Sequence, residues 1–96
     1  MPTFVSLINW TQEGVKAYKD TVARAEAAQQ MAGKFGGSFE IYWTVGPYDI
    51  VAISTFPDDE SATAFLLMLS SQGNLRSTTL QAHSADEMRR IIAKTG

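Results

Sequence analysis

The chain has no cysteine, one histidine and three prolines. Without cysteine it forms no disulfide, no thiolate nucleophile and no Cys-ligated metal site. A single histidine, His83, cannot supply the imidazoles of an ordinary zinc centre, so no metal is expected. A dominant charge is missing too. Eight bases against ten acids leave a formal net charge of −2. The nearest basic clusters, Arg89-Arg90 and Lys16/Lys19, sit among acids, and no basic stripe is available to track a phosphate backbone, which argues against nucleic acid as a partner. No apolar run reaches the roughly 20 residues of a membrane span. The N-terminus lacks the charged and apolar stretches of a signal peptide. The expected compartment is the cytoplasm.

What is present suits one small globular domain over residues 1–96. Apolar residues make up 45% of the 96, enough for a real core with a modest stability margin. Thr3 to Ile8 reads as a strand, rich in β-branched and aromatic residues. Thr11 offers an N-cap hydroxyl, and Gln12-Glu13 suit the positive end of a helix. Val15, Tyr18, Val22, Ala25, Ala28, Met31 and Phe35 recur at helical spacing and predict one buried stripe, with Asp20-Thr21 as a point of interruption. Gly36-Gly37 close that run. Phe39–Thr44 and Ile50–Phe56 are strands around Gly46-Pro47-Tyr48-Asp49, where Gly tolerates positive φ and Pro presets a turn.

Pro57-Asp58-Asp59-Glu60 starts a second helix, with Ala62, Phe65, Leu66 and Leu69 as its buried side and Gly73 as its end. Leu75–Ala82 is a fourth strand. Ser84 and Glu87 form a capping box for a last helix whose apolar side is Met88, Ile91 and Ile92. The order βαββαβ plus a C-terminal helix predicts an α+β, ferredoxin-like fold, with both main helices on one face of a four-stranded antiparallel sheet.

Strand alternation leaves large apolar groups on both faces of that sheet. Phe4, Ile8 and Trp10 oppose Val5 and Leu7, and Ile50, Ala52 and Phe56 oppose Val51 and Ile53. A solvent-facing side would read polar. The pattern therefore predicts a homodimer, or an oligomer of dimers, built by packing two sheets face to face as a dimeric α/β-barrel, with Phe4, Ile8 and third-strand residues in the interface. The alternative is a terminal segment folded over the open face of its own chain.

The ordered set Val5-Ser6-Leu7-Ile8-Asn9-Trp10-Thr11, Gly14, Ala23-Arg24-Ala25-Glu26-Ala27-Ala28, Tyr42-Trp43-Thr44, Gly46-Pro47-Tyr48-Asp49, Pro57-Asp58-Asp59, Gly73-Asn74-Leu75-Arg76-Ser77-Thr78-Thr79-Leu80 and Ile91-Ile92-Ala93-Lys94 resembles the GYD domain family over nearly the whole chain. The resemblance implies the dimeric α/β-barrel and no established reaction. It departs at Pro47, where many relatives carry a basic residue, and that makes this turn stiffer.

Six residues are candidates for a ligand site, each with a structural alternative. Asn9 orients a ligand oxygen or caps a strand end. Tyr42 lines a cleft as a phenol donor or packs as an amphipathic residue. Tyr48 and Asp49 are proton donor and general base, or turn residues, with Asp49 accepting backbone N–H groups. Arg76 clamps a carboxylate or phosphate, or pairs with an acid across a dimer. His83 titrates near neutrality or is a junction residue. Trp10 and Trp43 read as core or interface anchors. No complete catalytic set and no cofactor motif emerge. A haem-handling variant would use His83 as an axial ligand, and nothing else marks a haem pocket.

Three functions fit. One is a small-molecule-binding dimer, its pocket between helices and sheet or inside the barrel. Another is a cofactor-independent enzyme like the monooxygenases and isomerases that dimeric α/β-barrels house, which rests on fold analogy alone. A third is an assembly module. An enclosed cavity with convergent polar groups separates the first two from the third.

Overall fold

A computed structural model describes all residues from Met1 to Gly96. The order is β1 (Thr3–Trp10), α1 (Gln12–Lys16), a 3-10 turn (Tyr18–Asp20), α2 (Thr21–Lys34), β2 (Ser38–Trp43), β3 (Ile50–Thr55), α3 (Asp59–Ser71), β4 (Leu75–Ala82) and α4 (Ala85–Ala93). The four strands pair antiparallel in the order β2-β3-β1-β4. This is the expected βαββαβ arrangement with an added helix.

Local chemistry sets the boundaries. Thr11 caps α1, its hydroxyl accepting from the Gly14 N–H at 3.1 Å. Asp58 caps α3, its carboxylate accepting from the Ser61 N–H at 2.7 Å. Ser84 and Glu87 form the reciprocal capping box of α4, at 3.1 and 3.0 Å. Gly14 is constrained by proximity rather than by φ. A side chain there would run into the Asn74 carbonyl, because α1 lies directly on the turn that enters β4. Two bonds hold that junction, Thr11 N–H to Asn74 O at 3.1 Å and Thr11 Oγ1–H to Gly73 O at 2.7 Å.

The core lies between one sheet face and helices α2 and α3. β1 sends Phe4, Ser6, Ile8 and Trp10 toward the helices, and the registers Ile8↔Ile50 and Trp43↔Ile50 put Ile50, Ala52, Ser54, Phe39 and Ile41 on the same side. Phe65 of α3 is fully buried. It meets Phe35, Phe39 and Phe56 with ring centroids 6.4, 5.0 and 5.2 Å away. Edge and tilted ring pairs of this kind add to the area they bury. On α2 the buried positions are Ala28 and Ala32, small enough to bring the helix close to the sheet.

Two expectations need correcting. The single stripe from Val15 to Phe35 does not exist, since Val15, Tyr18 and Val22 are 47, 55 and 54% exposed. The 3-10 turn at Tyr18–Asp20 has a tighter period than an α-helix, so the phase of the pattern is lost there. The open sheet face is also the other one. Phe4 and Ile8 belong to the helix-covered core, with Ile8 only 2% exposed. Val5, Leu7, Val51, Ile53 and Leu80 make up the uncovered face. α4 does not fold over it. None of its residues is buried, and the molecule is drawn out to 52 Å along its long axis.

Candidate functional site

The hairpin between β2 and β3 is a six-residue loop, Thr44 to Asp49, closed at its neck. The Thr44 N–H donates to Asp49 O at 2.8 Å, and the Thr44 hydroxyl donates to Tyr48 O at 2.6 Å. Gly46 has φ +141°, a conformation that excludes most side chains. Asp49 ties the loop to β1 in both directions. Its N–H donates to Ile8 O at 2.9 Å, and its carboxylate accepts the Trp10 N–H at 3.0 Å. The carboxylate therefore continues the β3–β1 ladder past its last regular pair.

The six candidates separate into groups. Asn9 and Arg76 stand directly opposite each other on β1 and β4. Tyr42, paired with Val51 on β3, lies on the same uncovered face one row further in. Strand alternation puts Asp49 on that face too, at the same end. Tyr48 is in the hairpin at this end and is partly buried. His83 is apart from all of them. It follows the far end of β4, seven residues from Arg76, which is roughly 23 Å of strand. There its Nδ1 lies 3.6 Å from Glu87 of α4.

Two hollows flank this end of the sheet. A cavity of about 40 Å³ sits between α2 and the covered face, walled by Ile8, Trp10, Ala25, Ala28, Ile50 and Leu69, with Thr21, Arg24, Gln72 and Asn74 as its polar lining. That is room for a few waters rather than for a metabolite. An open groove of about 280 Å³ is formed by Trp10, Thr11, Gln12, Val15 and Arg76. Of the six candidates only Arg76 lines either hollow, and Asp49 lines neither. Arg24, Gln72 and Asn74 were not legible as cavity residues, because they meet only when α2 and the α3–β4 turn close over β1. Thr11 and Gln12 read from sequence as a helix start, and it is the Gly14–Asn74 approach that sets them beside Arg76.

No three His, Cys, Asp or Glu side chains gather as a metal cluster. No helix is long and apolar enough to cross a membrane.

The chain matches the GYD domain over residues 4–92. It belongs to the GYD domain family. It is also 31% identical over 84 residues to a protein of Thermus thermophilus named glutamine synthetase and cystathionine beta-lyase binding protein, a match spanning 85% of this chain and 88% of that one. No solved structure matches it. Within this GYD domain, Gly46-Pro47-Tyr48-Asp49 lies in the loop stitched to β1 by the Asp49 carboxylate.

Proposed function

We propose that this GYD protein acts by association: it is a cytoplasmic homodimer, joined through its uncovered sheet face, that binds protein partners. The observation that carries this reading is the uncovered face itself. Ile53 and Leu80 are 38 and 50% exposed beside Val5, Leu7 and Val51, a contiguous apolar surface of the kind that marks an interface. The name of the Thermus thermophilus relative supports enzymes as the partners. An acid–base enzyme is favoured less, because the Asp49 carboxylate is engaged with a backbone N–H and faces neither hollow.

Light scattering on the purified chain tests the dimer. The expected mass is twice that of the 10.5 kDa chain, and a stable monomer at micromolar concentration would remove the reading. Titration against purified glutamine synthetase and cystathionine beta-lyase tests the partners. Saturable binding to either supports the proposal, and no binding to both argues against enzymes of this kind.

A second reading places a small anionic ligand at the polar end of the same face, where Asn9 opposes Arg76 and Tyr42 lies close by. The observation favouring it is the Arg76 guanidinium beside an open groove with no acid paired to it. A carboxylate whose binding to the wild type is lost in Arg76→Met would establish it.

A further inference from the structure

α4 carries a surface that its own chain leaves uncovered. Met88, Ile91 and Ile92 are 44, 38 and 59% exposed and lie on one side of the helix at i, i+3 and i+4. The helix is nine residues long. Isolated helices below about 12–15 residues are marginal in water, so packing must supply what length does not. The capping box gives α4 a defined start, but a cap alone does not hold three large aliphatic side chains in solvent. The eight-residue strands account for roughly 27 Å of length, whereas the molecule extends 52 Å. The hairpin loop at one end and α4, which follows the far end of β4 with no buried residue, add to that length.

We propose that α4 is an exchanged arm: in the dimer each copy lays the Met88–Ile91–Ile92 stripe on the second copy. This rests on the sheet-face homodimer proposed above and adds the element that completes it. Four strands about 4.8 Å apart and about six residues long offer a face of roughly 400 Å². A standard interface takes about 800 Å² from each partner. A nine-residue helix covers on the order of 140 Å², and a two-fold axis makes every copy both donor and acceptor. Exchange thus raises the contact to about 700 Å² per copy, close to what a stable dimer needs. Charge points the same way. α4 and the residues after it hold Arg89, Arg90 and Lys94 against Asp86 and Glu87, a balance of +1, so the rest of the chain is at −3.

The test is sedimentation velocity on the full chain over a dilution series, comparing wild type, Ile91→Asp/Ile92→Asp and Leu7→Asp. The arm variant is expected to raise the dimer dissociation constant at least tenfold while far-UV circular dichroism keeps the sheet signal. Hydrogen exchange on the wild type gives an independent readout: α4 amides should be protected in the dimer and lose protection on dilution to monomer. An arm variant that dimerises like wild type overturns the arm, as do α4 amides that exchange equally fast in dimer and monomer. If Leu7→Asp alone breaks the dimer, the sheet interface stands and the arm falls. A wild type that stays monomeric removes both.

Discussion

Both faces of the sheet carry large apolar residues, and the two meet different fates. On the covered face Ile8, Ile50, Phe39 and Ala52 lie under α2 and α3 and are almost fully buried. On the other, Val5, Leu7, Val51, Ile53 and Leu80 have nothing over them within the chain. Val5, Leu7 and Val51 are only half-buried, against their own strand neighbours. The difference is that hydrophobicity on a strand encodes burial without saying by what. One face is satisfied by helices of the same chain, and the second calls for another molecule. α4 repeats the lesson in helical form, as an amphipathic helix with good caps and an unoccupied side.

Adjacent residues of β1 give the sharpest test of that division. Ile8→Asp would place a carboxylate in the covered core with no partner, a change that exceeds the few kcal/mol by which a small domain is stable. It is expected to give no cooperative unfolding transition in circular dichroism. Leu7→Asp, one residue away on the uncovered face, should fold and shift the sedimentation coefficient toward the monomer. Equal damage from both would erase the distinction between the faces. Phe65→Ala comes next. It removes the ring that joins α3 to Phe35, Phe39 and Phe56 and should cost about 3–5 kcal/mol in urea denaturation.

Smaller effects are expected in the hairpin, at the edge of both faces. A Cβ on Gly46 meets no neighbour, so Gly46→Val tests φ +141° alone, at about 1–3 kcal/mol. Asp49→Ala removes the acceptor of the Trp10 N–H and should cost about 1 kcal/mol, while Asp49→Asn, which keeps an acceptor oxygen, should cost less. If Asp49→Asn were instead neutral in stability and abolished binding of a partner or ligand, Asp49 would belong to a site rather than to a turn.

Elements and caps were legible because they are written locally. The Ser84–Glu87 box, the Thr11 cap, the helix start at Pro57-Asp58-Asp59-Glu60, the limits of β4 and the strand alternation all depend on residues within a few positions of one another. What sequence did not reveal depends on closure. Which face the helices choose cannot be read from Phe4 and Val5, since both are apolar. Nor could the stripe be followed through Tyr18–Asp20, where the helical period changes. Asn9, Tyr42 and Arg76 stand out in the sequence only one by one, for their chemistry, and it is the antiparallel registers that bring them to one end of one face. His83 shares their chemistry, and the direction of β4 carries it to the other end. The Arg24–Gln72–Asn74 cavity lining had no local signal at all.

The smallest expected effect compares two helices that begin alike. The Asp58 carboxyl is held below its ordinary value of 3.8, first by the Ser61 backbone N–H and then by the Ser61 hydroxyl. The Glu87 carboxyl is held below 4.5, first by the Ser84 backbone N–H, then by the Ser84 hydroxyl and by His83. In both the folded value is the lower one. Each cap therefore contributes fully above the ordinary carboxylate value and is lost as pH falls through the lowered folded value. The consequences should differ, because α3 is anchored by Phe65 and Leu69 while α4 has no buried residue. In the dilute monomer, acidification through the lowered Glu87 value should release α4 amides to fast exchange while those of α3 stay protected. In Glu87→Gln the carboxylate is gone and α4 should lose its response over that range. If α3 and α4 opened together, α4 would be held by the same core as α3, and the contrast between covered and uncovered apolar surface would not extend to the C-terminal helix.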